Sequence, residues 1–439
     1  MGAEPAESKD AARPPNIVFI LADDLGYGDV GCYGNTVTRT PHIDTLAGNG
    51  LRFTDFHSAG PMCTPTRAAT LTGLYQQRFG MMFDGAISGK TQYHTGLPLT
   101  AVTIAEVLKD KGYVTGCFGK WHLGYKPPYL PANQGFDEFR GLGSGDGDYF
   151  THVDRSGRAD WWYNNSLDPE SGYTTELLTK HSVDFIRRNR NSPFFLYVPH
   201  LAIHFPWQAP NDPPHRQPGT DYWHDKWGII PDRGNVYPHI KAMVEALDKS
   251  VGHIVAALQE YRLTENTLIV FTSDNGGYLS YPGGFKNISS NGPLRGQKTE
   301  LYEGGHRVPT IVSWPKKIKP GVTHAIGHST DWLPTLARLA KVNVEGMPLD
   351  GTDLLPLLTD RQPLPRRTLF WRMGAKAVRR GPWKLVVPEK GPSELYHLNN
   401  DIGESVNLAQ RLPARVQELS DAWNQWEADV DQSSIRYRQ

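Results

Sequence analysis

A cysteine stands at the start of a predicted helix, and its neighbours favour the binding of an anion. Cys63 is followed by Pro65 and Arg67, and residues 66–74 have the pattern of a helix. The N–H groups and the dipole at a helix N-terminus attract negative charge, and Arg67 adds a permanent cation one turn along. The alternative is a buried structural thiol, because a free cysteine packs as a small hydrophobic side chain.

Four predicted strands each end in polar side chains that could form one site. The strands span residues 16–22, 113–119, 194–198 and 267–273. The side chains that follow them, in chain order, are Asp23 and Asp24, Lys120 and His122, His200 and His204, and Asp274 and Asn275. Ligands bind beyond the carboxyl ends of parallel strands, so we expect these groups to meet. Taken singly, each has a simpler explanation, such as an exposed acidic turn, a core histidine or a surface lysine.

The alternation of strands and helices predicts an α/β fold. Helices at residues 174–188, 238–261 and 331–341, the last capped by Thr330, indicate a large, mostly parallel, doubly wound sheet flanked by helices. After residue 348, short strands near 369–373, 377–380, 383–387 and 395–398 and a helix at 413–428 indicate a small C-terminal antiparallel sheet with a helix. We therefore expect a lead over residues 1–15, a catalytic α/β domain over 16–347 and an α+β subdomain over 348–439.

Composition excludes some functions and leaves others open. Lysine plus arginine and aspartate plus glutamate both number 46, so bulk charge gives no support for nucleic-acid or membrane-surface binding. No apolar run is long enough to span a bilayer. The three cysteines form no disulfide framework, and Cys32 and Cys117 could pair or remain thiols. The polar lead shows no signal peptide, and we expect a periplasmic or secreted protein whose signal is absent from this sequence.

The helix that starts near Cys63 resembles the signature of a known enzyme family. Cys63, Pro65 and Arg67, followed by Leu71-Thr72-Gly73, are similar to the motif of the type I sulfatases of the alkaline phosphatase superfamily. Further similar blocks keep the family order: Asp23-Asp24, residues 119–124, His204, residues 273–276, Lys298, residues 303–305, 380–385 and 394–396. The resemblance implies that a formylglycine-generating enzyme oxidises Cys63 to formylglycine.

The resemblance also implies a bound divalent cation. By position, its ligands would be Asp23, Asp24, Asp274 and Asn275, with an oxygen of the modified residue 63. Because these donors are all oxygens, calcium or magnesium is favoured over zinc, and the family usually holds calcium.

The roles implied for the remaining residues follow from the charge of a sulfate ester. Arg67, Lys120 and Lys298 would neutralise its oxygens while a hydroxyl of hydrated formylglycine attacks sulfur. His122 would be the base that expels sulfate from the covalent intermediate. His204 would protonate the departing alcohol, and Asp274 is the candidate to accept the proton of the attacking hydroxyl.

The substrate is less closely defined. Residues 291–309 are most similar to arylsulfatases and N-acetylgalactosamine-6-sulfatases, which implies desulfation of a galactose- or GalNAc-type saccharide. Candidate substrate contacts are His200, and Asp146 and Trp207 in the long aromatic segments at residues 141–172 and 205–236. Two alternatives remain: a phospho- or phosphonate-ester hydrolase of the same superfamily, and a non-catalytic protein that binds sulfated glycans.

Overall fold

A ten-stranded mixed sheet forms the centre of the molecule, seen in a computed structural model that describes residues 13–434. The strands in the described chain are β1 (Asn16–Ala22), β2 (Leu51–Phe53), β3 (Phe56–His57), β4 (Val114–Lys120), β5 (Glu138–Leu142), β6 (Trp162–Tyr163), β7 (Ser166–Leu167), β8 (Phe194–Pro199), β9 (Thr267–Ser273), β10 (Ser280–Tyr281), β11 (Phe285–Lys286), β12 (Thr310–Ser313), β13 (Gly321–Thr323), β14 (Gly327–His328), β15 (Thr368–Met373), β16 (Ala375–Arg380), β17 (Trp383–Val387) and β18 (Glu394–His397). In the central sheet the strand order is β13-β2-β12-β9-β1-β8-β4-β5-β6-β7. Most of the predicted lead lies outside the described residues.

The central strands of this sheet are parallel. β1 pairs in parallel with β8 on one side and β9 on the other, and β4 pairs in parallel with both β8 and β5. β12 is antiparallel to both of its neighbours, and β6 and β7 form an antiparallel edge. The carboxyl ends of β1, β4, β8 and β9 therefore lie along one edge, as the sequence predicted.

Helices cover both faces of the sheet. They are α1 (Pro41–Gly48), α2 (Cys63–Thr72), α3 (Ile104–Lys109), α4 (Thr174–Arg188), α5 (Tyr237–Glu260), α6 (Glu303–His306), α7 (Trp332–Leu339), α8 (Leu355–Asp360) and α9 (Pro413–Ser434). Among these, α1, α4 and α5 contribute to the core on one face, and α2, α3, α7 and α8 to the core on the other. No helix in the described part of the chain is long and apolar enough to cross a membrane.

The continuous apolar run of β1 is explained by the position of this strand in the middle of the sheet. Val18 and Ile20 pack into one core and Phe19 and Leu21 into the other, and the whole strand is buried. Successive side chains of a strand point to opposite faces, so only a strand covered on both sides needs seven apolar or neutral residues in a row. The predicted doubly wound α/β fold is confirmed.

The sequence predicts the start of α3 correctly but the cap before α7 incorrectly. α3 begins with the predicted capping box, in which Thr103 Oγ1 accepts the Glu106 N–H at 3.3 Å. The predicted cap Thr330 is wrong. It lies inside a short 3-10 helix, and the ring of His328 accepts its N–H instead. The short strands β2, β5, β6 and β7 were missed because two to five residues show little periodicity.

The C-terminal part forms the predicted antiparallel sheet with a helix. Its four strands run in the order β15-β16-β17-β18, and α9 extends six residues beyond the predicted end. Trp371 of β15 is fully buried and its indole N–H donates to the carbonyl of Ser58 at 2.8 Å. Its ring stacks on His306, with ring centroids 4.1 Å apart. This sheet therefore packs directly against the elements that follow β3 and β11.

A buried charge network joins the C-terminal sheet to the rest of the molecule. Arg379 makes two hydrogen bonds of 2.7 Å to the carboxylate of Asp55. Lys384 contacts Glu303 at 3.0 Å and Glu404 at 2.9 Å. Burial alone would raise the pKa of Asp55, but Arg379 holds it below its usual range. Each group is therefore acceptable in the interior only because its partner is present.

We expect Arg379→Met to destabilise the protein strongly. The substitution keeps the apolar stem but removes the nearest counter-charge of the buried Asp55, leaving only Arg307 at 3.5 Å. Breaking a buried ion pair typically costs about 3 kcal/mol or more. Urea unfolding followed by tryptophan fluorescence would measure the loss. Arg380→Met is the matched control, because Arg380 is exposed and pairs at the surface with Glu418. Its cost should stay below about 1 kcal/mol. Equal losses in the two variants would contradict a buried role for Arg379.

Candidate active site

Cys63 is the first residue of α2 and lies at the base of a cavity of about 190 Å³. The helix starts three residues earlier than predicted, because Pro65 falls in the first turn, where a missing N–H is tolerated. The thiol is 1 % exposed, and its sulfur is 3.6 Å from Lys298 Nζ. Burial raises the pKa of Cys63 to about 11, with Lys120 and Lys298 opposing the shift. The unmodified thiol is therefore a poor nucleophile near neutral pH.

Arg67 joins three strands of the sheet. Its guanidinium, which is fully buried, contacts Asp274 Oδ2 at 2.8 Å and Asp23 Oδ2 at 3.3 Å. It also donates to the backbone carbonyl of Lys120 at 2.5 Å. Burial would lower its pKa, but Asp274 and Asp23 together raise it above its ordinary value. Arg67 thus fixes α2, and with it Cys63, against the carboxyl ends of β1, β4 and β9.

Two lysines complete the positive surroundings of Cys63. Lys120 forms an ion pair with Asp23, and both side chains are fully buried. Lys298 Nζ is 2.5 Å from Asp24 Oδ1 and is also buried. The charge of Asp24 more than offsets desolvation, so the pKa of Lys298 lies well above its ordinary value. Lys298 therefore remains cationic.

The acidic residues form an oxygen-rich cluster beside Cys63. Ligand atoms of Asp23, Asp24, Cys63 and His204 all lie within 4.8 Å of one another. Asp274 accepts the backbone N–H of Asp24 at 3.3 Å. Two buried oxygens here, Asp23 Oδ1 and Asn275 Oδ1, have no hydrogen-bond partner among residues 13–434. Carboxylate and amide oxygens left free in this way suit a hard divalent cation.

Two histidines lie at the cavity in neutral form. His122 Nε2 hydrogen-bonds to the carbonyl of Ile87 at 3.0 Å, and His204 Nδ1 to that of Phe205 at 2.7 Å. A carbonyl can only accept, so the proton is assigned to the bonded nitrogen of each ring. Burial, followed by the charge of Lys120, holds the pKa of both rings well below the usual value. The other nitrogen of each ring is therefore a free acceptor.

Comparison with known proteins gives the family. A family model described as Sulfatase matches residues 15–342. Arylsulfatase A from Homo sapiens is 35% identical over 468 aligned positions, which cover 94% of this chain and 87% of that protein. The chain belongs to the sulfatase family. N-acetylgalactosamine-6-sulfatase from Canis lupus familiaris is 35% identical over 387 positions, covering 82% of this chain and 69% of that protein.

Solved structures agree in fold. A crystal structure of Ps i-CgsB is 32% identical, with a TM-score of 0.84, and the match covers 96% of this sulfatase and 94% of that chain. The same protein in complex with k-i-k-neocarrahexaose gives a TM-score of 0.83. The predicted resemblance to sulfatases is thus confirmed.

The backbone of this sulfatase is strained at two site residues. Asp24 has φ of 61° and His122 has φ of 56°, although neither is glycine. Such conformations cost about 1–3 kcal/mol and persist where the surroundings impose them. Backbone hydrogen bonds from Asp23 to Ala202 and from Ile203 to Asp23 hold the turn after β1 against the loop that ends in His204. The turn therefore directs Asp24 into the site.

The structure places three predicted substrate contacts outside the cavity lining. The buried His200 does not line the cavity, and its Nε2 lies 3.2 Å from Ser250 Oγ of α5. Trp207 is 2 % exposed and packs on Trp227 and Phe285. Asp146 is buried beneath the cavity wall, where it binds two arginines. Residues four apart in a loop, such as His200 and His204, can face opposite directions, and loop sequences give no periodicity to tell which.

Several cavity-lining residues were missed from the sequence. They are Ser88, Tyr125, Arg155, Trp223, Lys226, Tyr278 and Tyr281. Arg155 and the pair Trp223 and Lys226 lie in the two long aromatic segments already singled out as functional. The length and composition of those segments were therefore the available signal, but no local pattern indicates which of their side chains reach the cavity.

His200→Gln should make the protein less sensitive to acid. Burial lowers the pKa of His200 to about 3, whereas an unfolded histidine titrates near 6.5. Between these values the unfolded chain binds one more proton, so stability falls by about 1.4 kcal/mol per pH unit as pH decreases. The variant should recover about 2 kcal/mol of the stability that the wild type loses between pH 7 and pH 5, measured by urea unfolding. His224→Gln, at an exposed position, should behave as the wild type. If His200→Gln also behaves as the wild type, the burial of His200 does not lower its pKa as described.

Proposed function

We propose that this sulfatase releases sulfate from a sulfated carbohydrate of galactose or GalNAc type, using formylglycine formed from Cys63. The observation that supports this most strongly is the set of three buried cations, Arg67, Lys120 and Lys298, around a cysteine at the base of a cavity. A sulfate ester bears negative oxygens, and fixed positive charge in a water-poor site stabilises the charge that develops during its cleavage.

The nucleophile requires modification of Cys63. A thiol with a pKa near 11 is mostly protonated at neutral pH, whereas hydrated formylglycine supplies a hydroxyl that attacks sulfur. Lys298 Nζ, 3.6 Å from the sulfur of Cys63, would bind an oxygen of the incoming sulfate. A formylglycine-generating enzyme is therefore a required partner, and it must act before burial of Cys63 makes the side chain inaccessible.

The assigned tautomers fit the proposed proton transfers. His122 keeps its proton on Nε2, bonded to Ile87, so Nδ1 is free to act as the base in sulfate release. His204 keeps its proton on Nδ1, so Nε2 must first take up a proton before it can pass one to the departing alcohol. The negative charge of the bound sulfate ester would favour that uptake by opposing the effect of Lys120 and Lys298.

A calcium ion fits the oxygen cluster at the site. Asp23, Asp24, Asp274 and Asn275 would hold it with an oxygen of modified residue 63, and the two unpartnered oxygens of Asp23 and Asn275 support this set. Magnesium offers the same charge with stricter geometry. The cation would supply further positive charge for the sulfate oxygens.

Two relatives support the proposed sugar class. N-acetylgalactosamine-6-sulfatase and a structure holding a neocarrahexaose are both among the proteins similar to this chain. Aromatic side chains line the cavity, notably Trp223, Tyr278 and Tyr281, and suit the apolar face of a sugar ring. A substrate of this kind, met outside the cytoplasm, agrees with a periplasmic or secreted location.

The function is tested by sulfate release from a substrate panel. Protein produced with a formylglycine-generating enzyme should release sulfate from one or more regioisomers of galactose or GalNAc sulfate. Cys63→Ala removes the nucleophile and should reduce release by roughly a thousandfold or more. Cys32→Ala is the matched control, because this thiol is free and does not line the cavity.

Two results would contradict the proposal. If mass spectrometry confirms formylglycine and only phosphate or phosphonate esters are cleaved, the phosphohydrolase alternative is correct. If formylglycine is confirmed and the protein binds sulfated saccharides but cleaves no ester, it is a binding protein.

Calcium should stabilise the protein through the oxygen cluster. A ligand present at a hundred times its Kd stabilises the folded state by about 2.7 kcal/mol, so urea unfolding should shift accordingly between calcium and EGTA. Asn275→Ala should remove most of this shift, since it deletes a buried oxygen that has no other partner. Asn133→Ala, at an exposed asparagine, should retain it. An unchanged unfolding curve in wild type with and without calcium would overturn the assignment of this cation.

A further inference from the structure

The lining of the cavity carries positive charge that the proposed chemistry does not use. Arg155 and Lys226 both line the cavity, together with Cys63 and the two histidines. The three cations around Cys63 are matched in number by Asp23, Asp24 and Asp274, which they contact. Among the described residues, the charges of Arg155 and Lys226 are not matched one for one in this way, so they need a separate explanation.

Arg155 shares its carboxylate partner, Asp146, with a second arginine. Its Nε donates to Asp146 at 3.0 and 3.1 Å, while Arg216 contacts the same carboxylate at 2.9 Å. Asp146 is thus neutralised more than once, and it fixes the position of Arg155. Among the described residues, no hydrogen bond involves the two terminal nitrogens of Arg155. These nitrogens form the fork that binds sulfate and carboxylate groups.

Lys226 has no acidic partner at all within residues 13–434. No carboxylate there lies within 4 Å of its Nζ, which donates a long hydrogen bond of 3.4 Å to Tyr281 Oη. The ammonium instead lies near three aromatic rings, with Trp227 nearest at 4.7 Å and Tyr281 and Phe205 at 5.3 and 5.4 Å. Aromatic walls limit access of water, which strengthens attraction to an anion.

One aromatic ring links the two cations in space. The guanidinium of Arg155 lies 5.2 Å from the centre of the Phe205 ring, and Lys226 Nζ lies 5.4 Å from it. Phe205 follows His204 directly, so both cations lie next to the proposed general acid. The charge of Arg155 also contributes to the low pKa of His204, after burial and the two site lysines. A substrate whose leaving oxygen reaches His204 would extend past Arg155 and Lys226.

We propose that Arg155 and Lys226 bind a second anionic group of the substrate, either another sulfate or a carboxylate on the same or the adjoining sugar. This inference rests on the proposed function, because it assumes a sulfated saccharide in the cavity. It assigns selectivity for multiply charged saccharides to these two side chains, and sugar stacking to Trp223, whose ring lies 4.7 Å from Arg155. The alternative is that both cations only stabilise the aromatic loops.

Binding to the inactive Cys63→Ala protein tests the inference without requiring turnover. The probes are GalNAc 4-sulfate, GalNAc 6-sulfate, GalNAc 4,6-disulfate and a disaccharide of glucuronic acid with GalNAc 6-sulfate. Titration calorimetry in the full chain should give about tenfold tighter binding for at least one doubly charged probe than for the matching monosulfate. A gain with the disulfate identifies sulfate as the second anion, and a gain with the disaccharide identifies carboxylate.

Variants decide whether the two side chains are responsible. In the Cys63→Ala background, Lys226→Met and Arg155→Gln should each remove most of the tenfold preference and weaken its dependence on salt. Lys249→Gln, at an exposed lysine of α5 away from the cavity, should retain both. The urea midpoint of each variant shows whether it is folded, and Lys226→Met keeps the apolar stem that packs on the rings.

Two results would overturn the inference. One is equal binding of singly and doubly charged probes by a folded protein. The other is a preference that survives in both Lys226→Met and Arg155→Gln. Either result can occur in an enzyme that still hydrolyses monosulfates, so it would leave the proposed function intact. Conversely, a protein that cleaves no sulfate ester could still show the charge preference.

Discussion

The contacts of Arg67 with Asp23 and Asp274 are the constraint on which the rest of the site depends. The two carboxylates belong to neighbouring parallel strands, and the guanidinium comes from the helix that begins at Cys63. Without this cation, two acids at the ends of β1 and β9 would repel each other in a buried place. With it, α2, the sheet edge and Cys63 are held in fixed positions relative to one another.

The same electrostatic arrangement explains how so many charges remain in the interior. Lys120 contacts Asp23 and Lys298 contacts Asp24. Each contact uses one carboxylate oxygen, so the other oxygen of each aspartate is not used by its lysine. Buried ion pairs contribute little to stability after desolvation. Their value here lies in orientation: they present fixed positive charge toward the cavity without requiring solvent to reorganise when an anion enters.

Sequence predicted the sheet and the residues around Cys63 because both depend on local signals. The runs that form β1 and β9 are continuous and apolar, α4 has clear helical periodicity, and each polar cluster directly follows a strand end. The positions of Arg155 and Lys226 in the cavity lining could not be predicted in this way. Arg155 and Lys226 reach it through long turns whose shape depends on tertiary contacts such as Asp146 with Arg216, and His200 faces inward for the same reason.

The network that joins Asp55 and Glu303 to the C-terminal sheet has a consequence for synthesis. Arg379 lies 324 residues after Asp55, so the chain exposes the acids long before the cations that neutralise them leave the ribosome. Until then, the counter-ion available to Asp55 is the more distant Arg307, at 3.5 Å. This part of the interior can reach its final charge balance only after the C-terminal strands that carry Arg379 and Lys384 have been translated.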